Sequence, residues 1–144
     1  MSKDDKLEHI IGDYYTPGER QFLLYRFLLE NTCAGHVAKR QAIYDYLSQY
    51  GIQIERKTLY TDLDVLRGTM GIEVEFDQHL QGYWVKNPRF EPYELRLIVD
   101  SIQSSRFITQ AKANDLTRKI KELTDRHTAS TLNRPGFVVE RVHS

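Results

Sequence analysis

The chain of 144 residues has little cysteine, no net charge and no long apolar run. Its one cysteine, Cys33, excludes an internal disulfide, which is typical of proteins from a reducing compartment. No stretch approaches the roughly 18 consecutive apolar residues that a membrane span requires. The first residues, Met1–Lys6, lack the apolar core of a signal peptide. We therefore expect a cytoplasmic protein with no membrane partner.

Positive charge is no more abundant than negative charge, because 20 Lys and Arg residues are balanced by 20 Asp and Glu residues. The balance also holds locally, since residues 17–68 contain seven basic and six acidic side chains. A general electrostatic attraction to nucleic acid is therefore excluded. If the chain binds DNA, we expect it to use a few well-placed cations and to gain affinity by dimerisation.

The chain also lacks the arrangements that are typical of enzymes. It has no glycine-rich phosphate loop and no nucleophile elbow, and Cys33 with His36 is two ligands short of a metal site. The five histidines are scattered without spaced partners, at positions His9, His36, His79, His127 and His143. We therefore predict no catalytic residue, no metal and no cofactor.

The most informative stretch is Glu55–Gly68, which has the pattern of a recognition helix. Its apolar residues recur at helical spacing and predict one buried stripe, formed by Leu59, Leu63 and Leu66. Lys57 and Thr61 point away from that stripe, while Asp62 lies beside it and is predicted to accept hydrogen bonds from a neighbouring helix. The pattern also fits an ordinary amphipathic surface helix, because it fixes a buried face but not a partner.

Two further helices are predicted on the N-terminal side of this stretch. Pro17 is a favourable first helical residue, and an almost continuous apolar pattern predicts a central, buried helix that ends at about Asn31. Residues 35–38 are predicted to form a short extended connection. A second helix follows from Lys39 to about Tyr50, and Gly51 ends it.

After the recognition helix the period changes from helical to alternating. Acidic residues alternate with three apolar residues, Ile72, Val74 and Phe76, and residues 83–85 return as a second strand after a turn. This pattern predicts a β-hairpin in which one of the adjacent rings Tyr83 and Trp84 enters the core. Three helices followed directly by a hairpin predict a winged helix-turn-helix.

Residues 90–127 have the pattern of a helical hairpin. Pro92 opens a helix to about Arg106, and Thr109 caps another that runs to about Arg126. A hairpin this small needs a surface for its apolar stripe, either the winged domain or a second copy of the chain across a two-fold axis, and we favour the second copy. The predicted dimerisation residues are Leu95, Ile98, Val99, Ile102, Leu116, Ile120 and Leu123.

The predicted fold class is mainly α with a small β-hairpin, a winged helix-turn-helix followed by a helical hairpin. Four segments follow from the patterns. Residues 1–16 are a flexible lead-in, 17–89 a DNA-binding domain, 90–127 a helical linker or dimerisation hairpin, and 128–144 a tail strand leading toward an absent C-terminal domain.

Several segments share a likeness to one group of proteins. They are Lys57–Arg67, Gly71–Val74 and Gly82–Val85, then Phe90–Asp100 and Ser104–Thr109, and finally Leu132–Arg134 with Val138–Val142. In combination they resemble the winged-helix end and the linking helices of bacterial WYL-domain transcriptional regulators. The resemblance covers roughly residues 17–144.

The resemblance implies a sequence-specific regulator, a repressor in our interpretation, that binds operator DNA as a dimer through the recognition helix and the wing. The WYL domain itself is absent, since the chain contains no Trp-Tyr-Leu triplet, and no effector ligand is therefore expected. On this interpretation the chain is either a naturally short repressor or a part of a longer one.

The resemblance and the helix geometry together assign DNA contacts to nine residues: Arg56, Lys57, Thr58, Tyr60, Thr61, Arg67, His79, Gln81 and Lys86. Lys57 and Thr61 are the candidates for contact with base edges, and their neighbours on the helix hold phosphates. Arg67 either contacts a phosphate or pairs with Asp64. The hairpin residues either reach DNA or form a solvated tip.

Two other functions fit the same sequence. A winged helix can bind a protein instead of DNA, and the neutral charge permits this. Removal of the Lys57 charge distinguishes the two, because a DNA reader should lose affinity and a protein adaptor need not. The remaining alternative is a scaffold-like dimer whose absent domain performs the function.

Overall fold

The computed structural model describes residues 15–133, and the chain divides after Lys86 into two units. Among these residues, the first unit contains α1 (Pro17–Asn31), α2 (Arg40–Ser48), α3 (Arg56–Gly68), β1 (Val74–Asp77) and β2 (Gly82–Val85). The second unit contains α4 (Pro92–Gln103), α5 (Gln110–Lys121) and α6 (Arg126–Thr131). The mainly helical class with a small β-hairpin is therefore confirmed.

Some predictions fall outside this part of the chain. The predicted lead-in up to residue 14 and the predicted tail strand beyond Asn133 lie outside the described residues. Between residues 15 and 133, no helix is long and apolar enough to cross a membrane.

Helix α1 begins and ends where the sequence predicts. The Thr16 hydroxyl accepts a hydrogen bond from the Glu19 amide at 3.1 Å, and the Glu19 carboxylate accepts one from the Thr16 amide at 3.3 Å. This reciprocal capping satisfies two amides that the first turn would otherwise leave unpaired. The prediction that α1 is buried almost all round is wrong for Phe22, which is 56% exposed because it lies on the side opposite Leu24 and Leu28.

The core of the first unit is built from the inward faces of the three helices and from Ile52 in the turn before α3. Its fully buried side chains are Leu24, Leu28, Ile43, Leu47, Ile52, Leu59, Leu63 and Leu66. The three leucines predicted for the buried face of α3 are all among them. That face is therefore fixed against the core, and the opposite face of α3 is left to solvent.

The two strands form an antiparallel hairpin that is also attached to the helices. Val74 pairs with Val85, and Phe76 pairs with Tyr83. The amide of Ala38 donates to the Tyr83 carbonyl, and the amide of Tyr83 donates to the Ala38 carbonyl, both at 2.8 Å. The predicted extended connection before α2 thus adds a short third strand segment to the hairpin.

The alternation predicted for β1 holds at Val74 but not at Phe76. Val74 and Tyr83 are buried, which confirms that one ring of the Tyr83–Trp84 pair enters the core. Phe76 is 42% exposed, and its ring lies 4.9 Å from that of Tyr83. Phe76 lies near the turn, where its main cover is its cross-strand neighbour.

The second unit buries two of the seven residues that the sequence assigns to dimerisation. Leu95 and Val99 of α4 are buried together with Leu132, and Phe90 and Ile120 pack against them. Leu95 and Val99 are therefore core residues of their own unit, and their assignment to a dimer surface is wrong. Leu132 at the end of α6 covers them, in a stretch that the sequence assigns to the tail strand of residues 128–144 but whose first residues are helical.

The remaining predicted dimerisation residues differ in exposure. Ile102, Leu116 and Ile120 are half-buried, while Ile98 and Leu123 are exposed. The helices are also shorter than predicted, since α4 ends at Gln103 and α5 at Lys121. α6 begins beyond them with Asp125 as its cap, whose carboxylate accepts from the amides of His127 and Thr128.

Candidate nucleic-acid interface

The outward face of α3 carries most of the residues predicted to contact DNA. Five of them are exposed and one, Thr58, is half-buried; the exposed ones are Arg56, Lys57, Tyr60, Thr61 and Arg67. The first turn of α3 contains no acidic residue, and Glu55 makes no side-chain cap hydrogen bond. The Thr61 hydroxyl donates to the Lys57 carbonyl at 3.0 Å. The start of α3 therefore presents positive charge and hydroxyl groups to solvent.

Asp62 fixes the rotation of α3 about its own axis. Its carboxylate is fully buried and accepts hydrogen bonds from Arg20 Nε at 2.6 Å and from Arg20 Nη2 at 2.9 Å. Gln21 donates a third bond at 3.0 Å. The predicted role of Asp62 as an acceptor for a neighbouring helix is confirmed. The hydrogen bonds to Asp62 raise the pKa of Arg20 above its ordinary value, because they stabilise the charged guanidinium.

Arg67 links α3 to the hairpin. Its Nε donates to the Val74 carbonyl at 2.9 Å, and its Nη1 lies 3.4 Å from the Asp64 carboxylate. The alternative in which Arg67 pairs with Asp64 is thus present in the structure. A phosphate contact would have to compete with these two bonds.

The hairpin tip is ordered by its own side chains. The Asp77 carboxylate accepts from the amides of His79 and Leu80, each at 2.9 Å. Gln81 has a φ of 57°, in the left-handed region that a tight turn requires. His79, Gln81 and Lys86 are all exposed, and the Lys86 amide donates to the Glu73 carbonyl.

A cleft of about 670 Å³ lies in the first unit, among the starts of α2 and α3 and the hairpin. Its lining residues are Lys39, Arg40, Gln41, Tyr44, Ile54, Arg56, Tyr60, Phe76, Gln81 and Tyr83. We call it the basic aromatic cleft. It brings together three predicted site residues, Arg56, Tyr60 and Gln81. The other six predicted DNA contacts do not line it.

Lys39 and Arg40 line the cleft, although the sequence patterns predict neither of them as a site residue. Lys39 is the N-cap and Arg40 the first residue of α2, whereas Arg56 and Lys57 are the first two residues of α3, so each helix start carries two consecutive cations. That parallel is a signal the sequence contains. Helix starts also carry unpaired amides and partial positive charge, which add to the side-chain cations.

Tyr83 forms the floor of the cleft. Burial raises the pKa of its phenol above the ordinary value, and the neighbouring Tyr60 acts in the same direction. The phenol therefore stays protonated at neutral pH and can donate a hydrogen bond. The cleft combines this neutral donor with cations and exposed aromatic carbon.

Comparisons with protein families, curated proteins and solved structures give no match for this chain. In residues 15–133, no group of three or more His, Cys, Asp or Glu side chains could hold a metal ion. Cys33 and His36 are joined instead through their backbones, each amide donating to the other carbonyl at 3.0 Å. We therefore infer the function from the geometry of the first unit.

Proposed function

We propose that the first unit is a winged helix-turn-helix that binds double-stranded DNA sequence-specifically and regulates transcription, as a repressor. One observation carries the proposal. The exposed start of α3 presents Arg56, Lys57, Tyr60 and Thr61, while the opposite face of the helix is held by a leucine core and a buried ion pair. A helix held in this way can enter a major groove without reorganising.

The residues on α3 divide into those that would contact base edges and those that would contact phosphates. Lys57 and Thr61 lie one turn apart on the outward face, in the part of a recognition helix that contacts base edges. Arg56 and Tyr60 lie on the side toward the cleft and would hold phosphates, which position the helix without reading sequence. Asp64 lies one turn after Tyr60, and its negative charge disfavours contact between that part of the helix and DNA.

The hairpin supports the same geometry. Its strands are joined to α3 by Arg67 and to the segment before α2 by Ala38, which attaches the hairpin beside the recognition helix. His79 and Gln81 at the tip and Lys86 at its base would contact the flanking backbone. Since net charge is zero, a few local cations, Arg56, Lys57 and Lys86, must supply the affinity that a basic protein obtains from its overall field.

The direct test is a DNA-binding titration with the purified full chain, using promoter fragments from around its own gene and random DNA of equal length. We expect preferential binding to one fragment, with log affinity falling by about 0.9 per phosphate contact for each tenfold rise in salt. Equal binding of all fragments, or no binding at low salt, would contradict the proposal. The latter result would favour a protein partner for the same face.

Replacing Lys57 and Thr61 with alanine should abolish the preference for the specific fragment. Each base contact contributes about 1–3 kcal/mol of discrimination, so the double variant should lose at least about 30-fold in specific affinity. Both side chains are exposed, and the unfolding transition should therefore stay unchanged. Lys119→Ala is the matched control, because it removes one exposed cation from a helix of the second unit.

We further propose that the chain binds DNA as a dimer through the exposed side of α4. Tyr93 and Leu97 are one turn apart and are 71% and 52% exposed, and Ile98 beside them is exposed as well. These residues replace Leu95 and Val99 as the surface for a second copy. Two recognition helices on a two-fold axis would read paired half-sites and gain affinity that one neutral module lacks.

Introducing a charge at Leu97 tests the dimer. Leu97→Asp should shift the sedimentation coefficient of the full chain toward the monomer value and weaken operator binding, because a carboxylate would be buried in the interface. Phe22→Asp in the first unit is the matched control, since Phe22 is an equally exposed apolar residue of a helix. A wild-type chain that sediments as a monomer on operator DNA would exclude this surface.

A further inference from the structure

Charge in the basic aromatic cleft is of one sign. Lys39 and Arg40 reach it from α2, and Arg56 reaches it from α3. None of the described residues that line the cleft is acidic. Three cations that line one concave site favour an anion there, because each lowers the free energy of negative charge.

Aromatic rings form one wall of the cleft, and phosphate binding alone would not require them. The rings of Phe76 and Tyr83 are 4.9 Å apart, and Phe76 remains 42% exposed in the cleft. Tyr44 and Tyr60 contribute two further rings to the lining. Exposed aromatic faces beside cations are the arrangement on which nucleobases stack. DNA backbone contacts account for the cations alone.

The wall is held at a fixed distance from the cations. Ala38, next to Lys39, exchanges two backbone hydrogen bonds with Tyr83. The Cα of Gly82 approaches Val37 so closely that an added Cβ would lie 2.4 Å from a Val37 methyl group. The cleft is therefore largely preformed, and its volume of about 670 Å³ falls within the range of small-molecule sites.

We propose that the basic aromatic cleft binds a phosphorylated nucleoside, with the base against the exposed ring of Phe76 and the phosphate at Lys39, Arg40 and Arg56. The chemistry has two possible sources, a free nucleotide and a nucleotide of a DNA strand. A free nucleotide would occupy Arg56 and would compete with DNA, a consequence that rests on the proposed function. The binding site itself does not depend on it.

The test is a titration of the full chain with AMP, GMP, CMP and UMP, followed by NMR or calorimetry. Adenosine and inorganic phosphate are the comparison ligands, because the first supplies only the nucleoside and the second only the phosphate. We expect saturable binding of at least one nucleotide, at least about tenfold tighter than either comparison ligand. Equal affinity for inorganic phosphate would overturn the proposal, since it would show that the rings contribute nothing.

A short single-stranded DNA with a 5′-phosphate distinguishes the two sources. Binding of the free nucleotides at concentrations at which the oligonucleotide does not bind assigns the cleft to a soluble ligand. If only the oligonucleotide binds, and binding still depends on Phe76, a strand nucleotide is the occupant. Absence of binding by both, up to millimolar concentration, excludes the site.

Phe76→Ala should weaken nucleotide binding by at least about fivefold, because stacking of a base on one aromatic ring is lost. Phe76→Leu, which keeps apolar volume but removes the ring, should behave in the same way and guards against loss of folding. Leu80→Ala is the matched hairpin control, since Leu80 is similarly exposed and does not line the cleft. Equal affinities for the Phe76 and Leu80 variants would contradict the proposal.

The contribution of the cations is tested by comparing Lys39→Ala with the control Lys119→Ala. Lys39 makes no side-chain cap hydrogen bond to α2, so its replacement leaves the helix start intact. We expect about a fivefold loss for Lys39→Ala alone. Lys57 and Thr61 lie outside the cleft, so failure of their variants to affect DNA binding would overturn the proposed function while leaving the nucleotide result in place.

Discussion

Replacing Arg20 with methionine is expected to lower the free energy of unfolding of the first unit by about 3–5 kcal/mol. The substitution keeps most of the apolar length of the side chain but removes both donors to Asp62. The Asp62 carboxylate is fully buried, and only the bond from Gln21 would remain. Removing the cation of a buried carboxylate costs far more free energy than breaking a surface ion pair, because the buried carboxylate has also lost its hydration.

Urea unfolding followed by the fluorescence of Trp84 measures this loss, since Trp84 is the one tryptophan of the chain and lies in the first unit. Arg118→Met is the control, because Arg118 pairs with Asp115 at an exposed site and its loss should leave unfolding unchanged. A loss below about 1 kcal/mol for Arg20→Met would show that the pair contributes little to folding.

A double variant separates the cost of an unpaired charge from the value of the pair. Arg20→Met combined with Asp62→Leu should recover most of the lost stability, because two apolar side chains would replace two buried polar ones. DNA affinity provides the second measurement. If the pair fixes the orientation of α3, the double variant should fold well and still bind operator DNA less tightly than the wild type.

Replacing Gly82 with alanine is expected to destabilise the first unit by at least about 1–3 kcal/mol, the usual cost of forcing extra atoms into a packed site. The added Cβ would lie 2.4 Å from a methyl group of Val37 and 2.9 Å from the Ala38 carbonyl oxygen. One of these atoms belongs to the backbone, so rotation of a side chain cannot relieve the contact. The hairpin must therefore move away from the segment that precedes α2.

Gly68→Ala is the matched control for this variant. An added Cβ at Gly68 meets no atom within 4 Å, and the residue ends α3 in ordinary helical conformation. Alanine there should stabilise the unit by up to about 1 kcal/mol, since it restricts the unfolded chain. Thermal unfolding of the two variants gives the comparison. Equal transition temperatures would show that the hairpin adapts without cost.

Local signals were sufficient to predict the elements of the first unit. The start of α1 follows from Pro17, and the buried face of α3 follows from its leucine spacing. These features act within one or two helical turns, so they can be read from the sequence without the fold. The partner of Asp62 could be predicted in kind, as a donor on a neighbouring helix, but Arg20 could not be named.

In the second unit, local sequence patterns do not predict which residues pack together. α6 has only six residues and no apolar period, and nothing in residues 126–131 predicts that Leu132 will cover Leu95 and Val99. A stripe indicates that a surface is buried but does not identify what buries it. The same limit explains why a dimer was predicted for residues that the chain covers itself.

The cleft could not be predicted because its parts come from separate elements. Lys39, Arg56 and Phe76 meet only after the hairpin has folded against the helices. Phe76 also departs from the alternation that the sequence predicts for β1, and it does so where the cleft opens. A local pattern that fails beside a concave surface is a reason to look for a ligand there.

The Thr32 hydroxyl has a consequence for the order of folding. It donates to the Leu28 carbonyl at the end of α1 and accepts from the Val85 amide, 53 residues away in the sequence. Closing a loop of this length costs conformational entropy. The contact therefore forms late unless other contacts have already brought the two segments together. An isolated two-stranded hairpin is only marginally stable in water, so we expect this hairpin to become stable as the helices assemble. The Val85 amide should exchange its proton with solvent only when the whole unit opens, among the slowest amides of the chain.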